Sequence, residues 1–161
     1  MLVKTKYLAR NLLKIKIKKE MIHIDLLRNL LLKKFISFFS VGDSFTLCIG
    51  SYYLICQDIT SEDEKLIDNS IDENYPFAKF SIDKQYISKT TILAANMRKE
   101  IIDVIMNTKC CLTLKFENGS DLFIPTSNTI VDWQWAINEN GGDPYTCKNL
   151  IACFWEGEII S

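Results

Sequence analysis

The sequence predicts an α+β fold: two antiparallel β-meanders that read as an internal repeat, with short helices and a C-terminal β-hairpin. Three observations predict it. The segments Leu26–Cys56 and Ile92–Ile124 each read as an apolar helical stretch followed by three strands. Each places a glycine, Gly50 or Gly119, between its second and third strands. After the second segment, Val131, Trp133, Trp135 and Ile137 alternate with Asp132, Gln134 and Ala136, the period-two pattern of a half-buried strand.

Taken in order, the first twenty residues differ in kind from the rest, with seven basic residues and one acidic. They read either as a basic arm for nucleic acid or an anionic membrane, or as an extension upstream of a start at Met21. The second reading is favoured, which leaves residues 21–161 as a single α+β domain. In the first segment, an apolar helical stretch ends at the basic pair Lys33-Lys34. Strands are expected near 35–41, 45–49 and 52–57. In the second, the pair Arg98-Lys99 leads to strands near 101–106, 111–117 and 120–124. Leu112, Leu114 and Phe116 alternate with Thr113 and Lys115. Asn118-Gly119 is a strong hairpin signal because both residues tolerate positive φ. Duplication is the favoured account of the two segments, and convergent meanders the other.

Between the segments, Glu62, Asp63 and Glu64 follow Thr60 and Ser61, as at a helix N-terminus with an oxygen-bearing cap and an acidic first turn. Asp68, Asp72 and Glu73 extend the acidic run. A solvated helix is its plain reading, and an acidic interaction surface the sharper one. Towards the end, Asn140 to Pro144 is a glycine-rich loop and Leu150–Trp155 a further strand. Tyr145, beside that loop, is the expected exposed aromatic anchor.

Composition narrows the function. Apolar residues at 48% and charged residues at 24% place the chain among globular proteins and exclude disorder as a general description. Residues 1–34 carry ten Lys or Arg and two acids, whereas residues 35–161 carry nine and eighteen. From Met21 onward the net charge is −7. The six cysteines form no CxxC pair and several lie in apolar runs. They read as reduced core thiols, in preference to a disulfide framework or a zinc site, and favour a cytoplasmic setting. The apolar stretch 22–39 is interrupted by Asp25, Arg28, Lys33 and Lys34, so no membrane insertion is expected. With His23 as the single histidine, and no GxSxG, HExxH, Walker A or GxGxxG motif, neither an enzyme nor a cofactor or metal requirement is expected.

The stretch from Ile92 to Trp135, with its helix, RKEIIDVIM, CLTLKFENGSDLFI and DWQW, resembles the small β-rich immunity proteins of bacterial contact-dependent growth inhibition and related polymorphic toxin systems. The resemblance covers roughly a quarter of the chain, and about half if the first segment is a second copy. It implies a cytosolic protein that binds one cognate toxin domain stoichiometrically and has no catalytic residues. It carries over no contact residue. The acidic body favours a basic partner, such as a nuclease, without direct binding to nucleic acid. The partner-binding candidates are then Glu62, Asp63, Asp68, Asp72, Glu73, Glu139, Asp143 and Tyr145. The alternative is a regulatory or chaperone-like adaptor whose basic N-terminal arm touches nucleic acid or membrane.

Overall fold

The computed structural model describes residues 21–75 and 84–161; the basic segment 1–20 lies outside the described residues. Helix α1 covers residues 21–31 and is followed by β1 (Ile36–Val41), β2 (Phe45–Ile49) and β3 (Tyr52–Cys56). Helices α2 (Glu64–Asn74) and α3 (Lys84–Asn96) precede β4 (Ile101–Met106), β5 (Leu112–Phe116) and β6 (Asp121–Ile124). The chain ends with β7 (Trp133–Asn138), β8 (Asn149–Phe154), a short 3₁₀ turn and β9 (Glu158–Ile160). All pairings within the sheets are antiparallel. One sheet has the order β1-β2-β3-β7-β8-β9 and the other β4-β5-β6. The fold class is therefore as expected, and β7 to β9 extend the first meander rather than standing apart.

The two units correspond position by position through their first strands, 65 residues apart. Helix α1 buries His23, Leu27, Leu30 and Leu31, a single helical stripe. Helix α3 buries Ser88, Lys89, Ile92, Leu93 and Asn96. Each helix is followed by a residue in the left-handed region, Lys33 or Arg98, both at φ 59°. The chain then turns sharply into a strand whose register shifts early, after Ile36 in β1 and after Ile101 in β4. The next strands, β2 and β5, share the burial pattern of alternate inward residues: Phe45, Leu47 and Ile49, then Leu112, Leu114 and Phe116.

The units lock to each other where their helices end. The Lys33 N–H donates to the Ile101 carbonyl (2.9 Å), and the Arg98 N–H donates to the Ile36 carbonyl (3.0 Å). Phe35 bridges Glu100 between them. Trp135, fully buried on β7, donates its indole N–H to the Cys110 carbonyl (2.8 Å), so the larger sheet also grips the turn before β5. One apolar core runs through both units, from Leu27 and Leu31 through Leu47, Leu54, Leu114 and Phe116 to Ile137 and Ile151.

Four local expectations change. At Asn118-Gly119 only Gly119 has positive φ (85°), and Phe116 N–H bonds to Ser120 O, giving a longer turn that needs one left-handed glycine. Helix α2 starts at Glu64, with Asp63 in the cap position and no side-chain cap; Thr60 instead donates to the Glu64 carboxylate (2.7 Å). Val131 precedes β7, and a bulge between Trp133 and Trp135 breaks the alternation: Trp133 is itself buried but stands outside the core cluster that holds Trp135 and Ile137. Cys110 and Cys111 precede β5 instead of lying in it, Cys110 at φ 61°.

A left-handed lysine or arginine carries a Cβ clash that glycine lacks. Neither exposed side chain, Lys33 or Arg98, is needed for the backbone bond. Lys33→Gly and Arg98→Gly should each raise stability by about 0.5–1 kcal/mol, or roughly 2–4 °C in melting temperature. A loss of stability in both would show that the side chains hold the junction.

Among the described residues no disulfide joins any of the six cysteines; Cys56, Cys110 and Cys153 are buried. Burial, then the nearby Asp58 charge, pushes the Cys56 thiol pKa far up. A hydrogen bond with Cys110, then burial, does the same for Cys153. The native state therefore holds these protons after an unfolded chain has released them. Their contribution to stability is complete below about pH 9 and declines as pH rises beyond it. Denaturation midpoints should fall above that pH, and Cys56→Ala should flatten the fall. In native buffer, alkylation should reach Cys48, Cys111 and Cys147 before the buried three.

Candidate functional site

The inner face of the six-stranded sheet is spent on the core. Its outer face carries Thr46 of β2, Ile55 of β3 and Ala136 of β7 on neighbouring strands. Two loops fold against that side. The first, residues 125–132, is held by Gln134, whose side chain is almost fully buried. The Gln134 amide accepts from Asn128 N–H (3.0 Å) and donates to the Asn128 carbonyl (3.0 Å). Asn128 in turn accepts Ile130 N–H (2.8 Å). Buried amide groups fully paired in this way fix a loop, because leaving any of them unpaired is costly.

The second loop, residues 139–148, is anchored at its ends. Asn138 accepts Gly141 N–H (2.8 Å) and donates to the Gly142 carbonyl (3.0 Å), while Asn149 donates to the Pro144 carbonyl (2.8 Å). Gly141 has φ 71°, and a Cβ there would lie 3.0 Å from the Tyr53 ring, so only glycine lets the loop lie this close to β3. The loops meet where the Tyr145 hydroxyl donates to Asp132.

Between them lies a groove of about 680 Å³. Ile55, Val131, Trp133 and Pro144 give it apolar surface, and Tyr86 and Tyr145 give it aromatic surface. Asp43, from the β1–β2 turn, and Asp143 are its only charged lining residues among the described ones. Beside the groove stands a ledge of large exposed side chains: Ile130 (89% exposed), Tyr145 (57%) and Trp155 (49%). The Trp155 indole N–H donates to the Val131 carbonyl, so both aromatics of the ledge are hydrogen-bonded to the first loop.

A smaller pocket of about 270 Å³ shares Gln57, Tyr86 and Asn128 with the groove. Lys89 lines it but is committed: its ammonium bonds to Asp58 (2.6 Å) and the Ile59 carbonyl and lies 3.4 Å from Glu64. This joins α3 to α2 and to the chain after β3.

The sequence candidates separate. Asp143 and Tyr145 line the groove. Asp68 accepts a hydrogen bond from Ser88, and Asp72 pairs with Lys84 (2.5 Å), so both are half-buried between α2 and α3. Glu62, Asp63 and Glu73 are exposed on or beside α2, and Glu139 just after β7. The Lys115 pKa is raised by its hydrogen bond with Asp121 and that charge, with lesser contributions from Asp103 and Glu62. Asp43, Ile130, Trp133 and Trp155 belong to the site but not to the sequence candidates. Among the described residues, no group of His, Cys, Asp or Glu is placed to hold a metal ion, and no helix is long and apolar enough to cross a membrane. Comparison with protein-family models, curated proteins and solved structures finds no match.

Removing the buried ammonium should expose how much the network matters. Lys89→Met leaves the Ile59 carbonyl and two carboxylates without their cation and should cost about 2–3 kcal/mol in urea denaturation, discounted for the half-exposed Asp58. A cost below about 0.5 kcal/mol, the size of an ordinary surface substitution, would show that the network is not structural.

Proposed function

We propose that this chain is a non-catalytic binding protein that neutralises a basic toxin domain, of nuclease type, by forming a stoichiometric complex through the ledge and groove. The observation that carries the reading is the exposed trio Ile130, Tyr145 and Trp155 beside a groove whose charged lining, among the described residues, consists of carboxylates. Large apolar side chains left exposed at one place mark a contact surface. Tyrosine and tryptophan are the residues that most often dominate binding energy, especially when already fixed before the partner arrives.

The chemistry of the groove supports binding over turnover. Among the described residues its lining includes no histidine or cysteine, and of its two tyrosines Tyr145 has its hydroxyl occupied by Asp132. The charge also supports a basic partner, since residues 21–161 carry a net −7. A nuclease domain is basic because it binds phosphate, and covering its substrate surface requires no reaction. The resemblance of the second unit and DWQW to immunity proteins supplies the partner class. A cytoplasmic location is part of the same proposal.

Co-expression with the toxin domain encoded beside this protein is the test. Cells should survive only when the protein is present. Tyr145→Ala and Trp155→Ala should each weaken the purified complex by at least about tenfold, in the hot-spot range. Association should slow as salt rises. Survival in the absence of the protein would end the immunity reading.

A further inference from the structure

We propose that the groove is a receptor for one cationic side chain of the partner, an arginine guanidinium or a lysine ammonium, inserted between Asp43 and Asp143 against the aromatic walls. This rests on the reading of this face as the partner site. Two carboxylates on separate elements line the groove, one on the β1–β2 turn and one on the 139–148 loop. Among the described residues, no Lys, Arg or His lines it. The nearest cation in the adjoining pocket, Lys89, is buried and held by Asp58 and Glu64. Among the described residues, the groove therefore presents negative charge without a cation of its own.

The remaining surface has the chemistry a cation with an apolar stem requires. Aromatic faces attract a guanidinium or ammonium, and the attraction grows as water is excluded. Ile55 and Trp133 offer apolar surface for the methylene stem. Asp143 is oriented in advance, since it takes the Tyr145 N–H at 2.7 Å, and the Tyr145 ring is held by the bond its hydroxyl donates to Asp132. An anionic side chain is repelled here. A neutral one of the same shape gains the apolar contact but leaves both carboxylates unpaired.

The full chain, isotopically labelled, is titrated with N-acetyl-arginine methylamide and separately with its neutral isostere, N-acetyl-citrulline methylamide, while the Trp133 indole and Tyr145 amide signals are followed by NMR. Arginine should shift both signals saturably, and citrulline should bind at least about fivefold more weakly. The double substitution Asp43→Asn and Asp143→Asn keeps the acceptor for Tyr145 and should abolish that preference while leaving the rest of the spectrum in place. Equal binding of the two probes, no saturable shift, or a preference that survives the double substitution would overturn the proposal. If Tyr145→Ala still weakens the toxin complex in that case, the binding face stands and only its cationic anchor is lost. If the arginine preference holds but the toxin does not bind, the anchor stands and the toxin reading is lost.

Discussion

Everything in this fold hangs on a reciprocal pair of backbone hydrogen bonds. A helix that stops leaves backbone groups unpaired, and a strand that starts beside it leaves more. Here each unit satisfies the other: Lys33 N–H reaches the first residue of β4, and Arg98 N–H reaches the first residue of β1. Phe35 bridges Glu100, its own counterpart 65 positions on, as residues nearest a dyad must. The geometry demands left-handed backbone at both crossing points. That cost is accepted twice at non-glycine residues, which points to a constraint on the junction as a whole and not to chance at one turn.

The junction fixes where the two sheets lie, and the face proposed for binding follows from what is left over. The inner strands of the larger sheet are paired on both edges, so β3 and β7 have no free backbone to offer a partner. Any recognition there must use side chains and loops. Two buried amides, Gln134 and Asn138, turn the loops into fixed structure by pairing with their backbones. A buried polar residue is costly unless its partners are all present, so these two positions near the ends of β7 exchange apolar packing for loop geometry. The result is an exposed tyrosine and tryptophan whose conformations are set before any contact is made.

How much of this was legible in the sequence depends on the range of the interaction. Strands set by local alternation and glycine turns were readable: β2 and β4 at their full extents, and β1, β3, β5 and β6 to within a residue or so at each end. The bulge at Trp133 was not, because it is a register change imposed by pairing with β8, and alternation alone assumes an unbroken register. Left-handed Lys33 and Arg98 carry no glycine or asparagine to announce them. Within the site, Tyr145 stood out because a glycine-rich loop flanks it. Ile130 and Trp155 resemble core residues in sequence, since type and neighbours suggest burial. Asp43 reads as an ordinary turn residue. Only the fold brings it to the same groove as Asp143, exactly 100 residues later in no pattern a local reading could detect.

Charge and docking are thus separate properties of the molecule. Asp58, Glu64, Asp72, Asp103 and Asp121 are all paired with cations of the same chain, so their fields largely cancel nearby. The exposed acids among the sequence candidates are split between two places, Glu62, Asp63 and Glu73 on or beside α2 and Glu139 after β7. Screening confines each to about 8 Å at physiological ionic strength. A divided field of that kind can speed the encounter with a basic partner, but it cannot define an orientation. Orientation needs short-range shape, and in the proposed complex the groove with its aromatic ledge provides it. Specificity for one partner would then reside in a few side chains around the two loops, while the acidic composition sets how often that partner arrives.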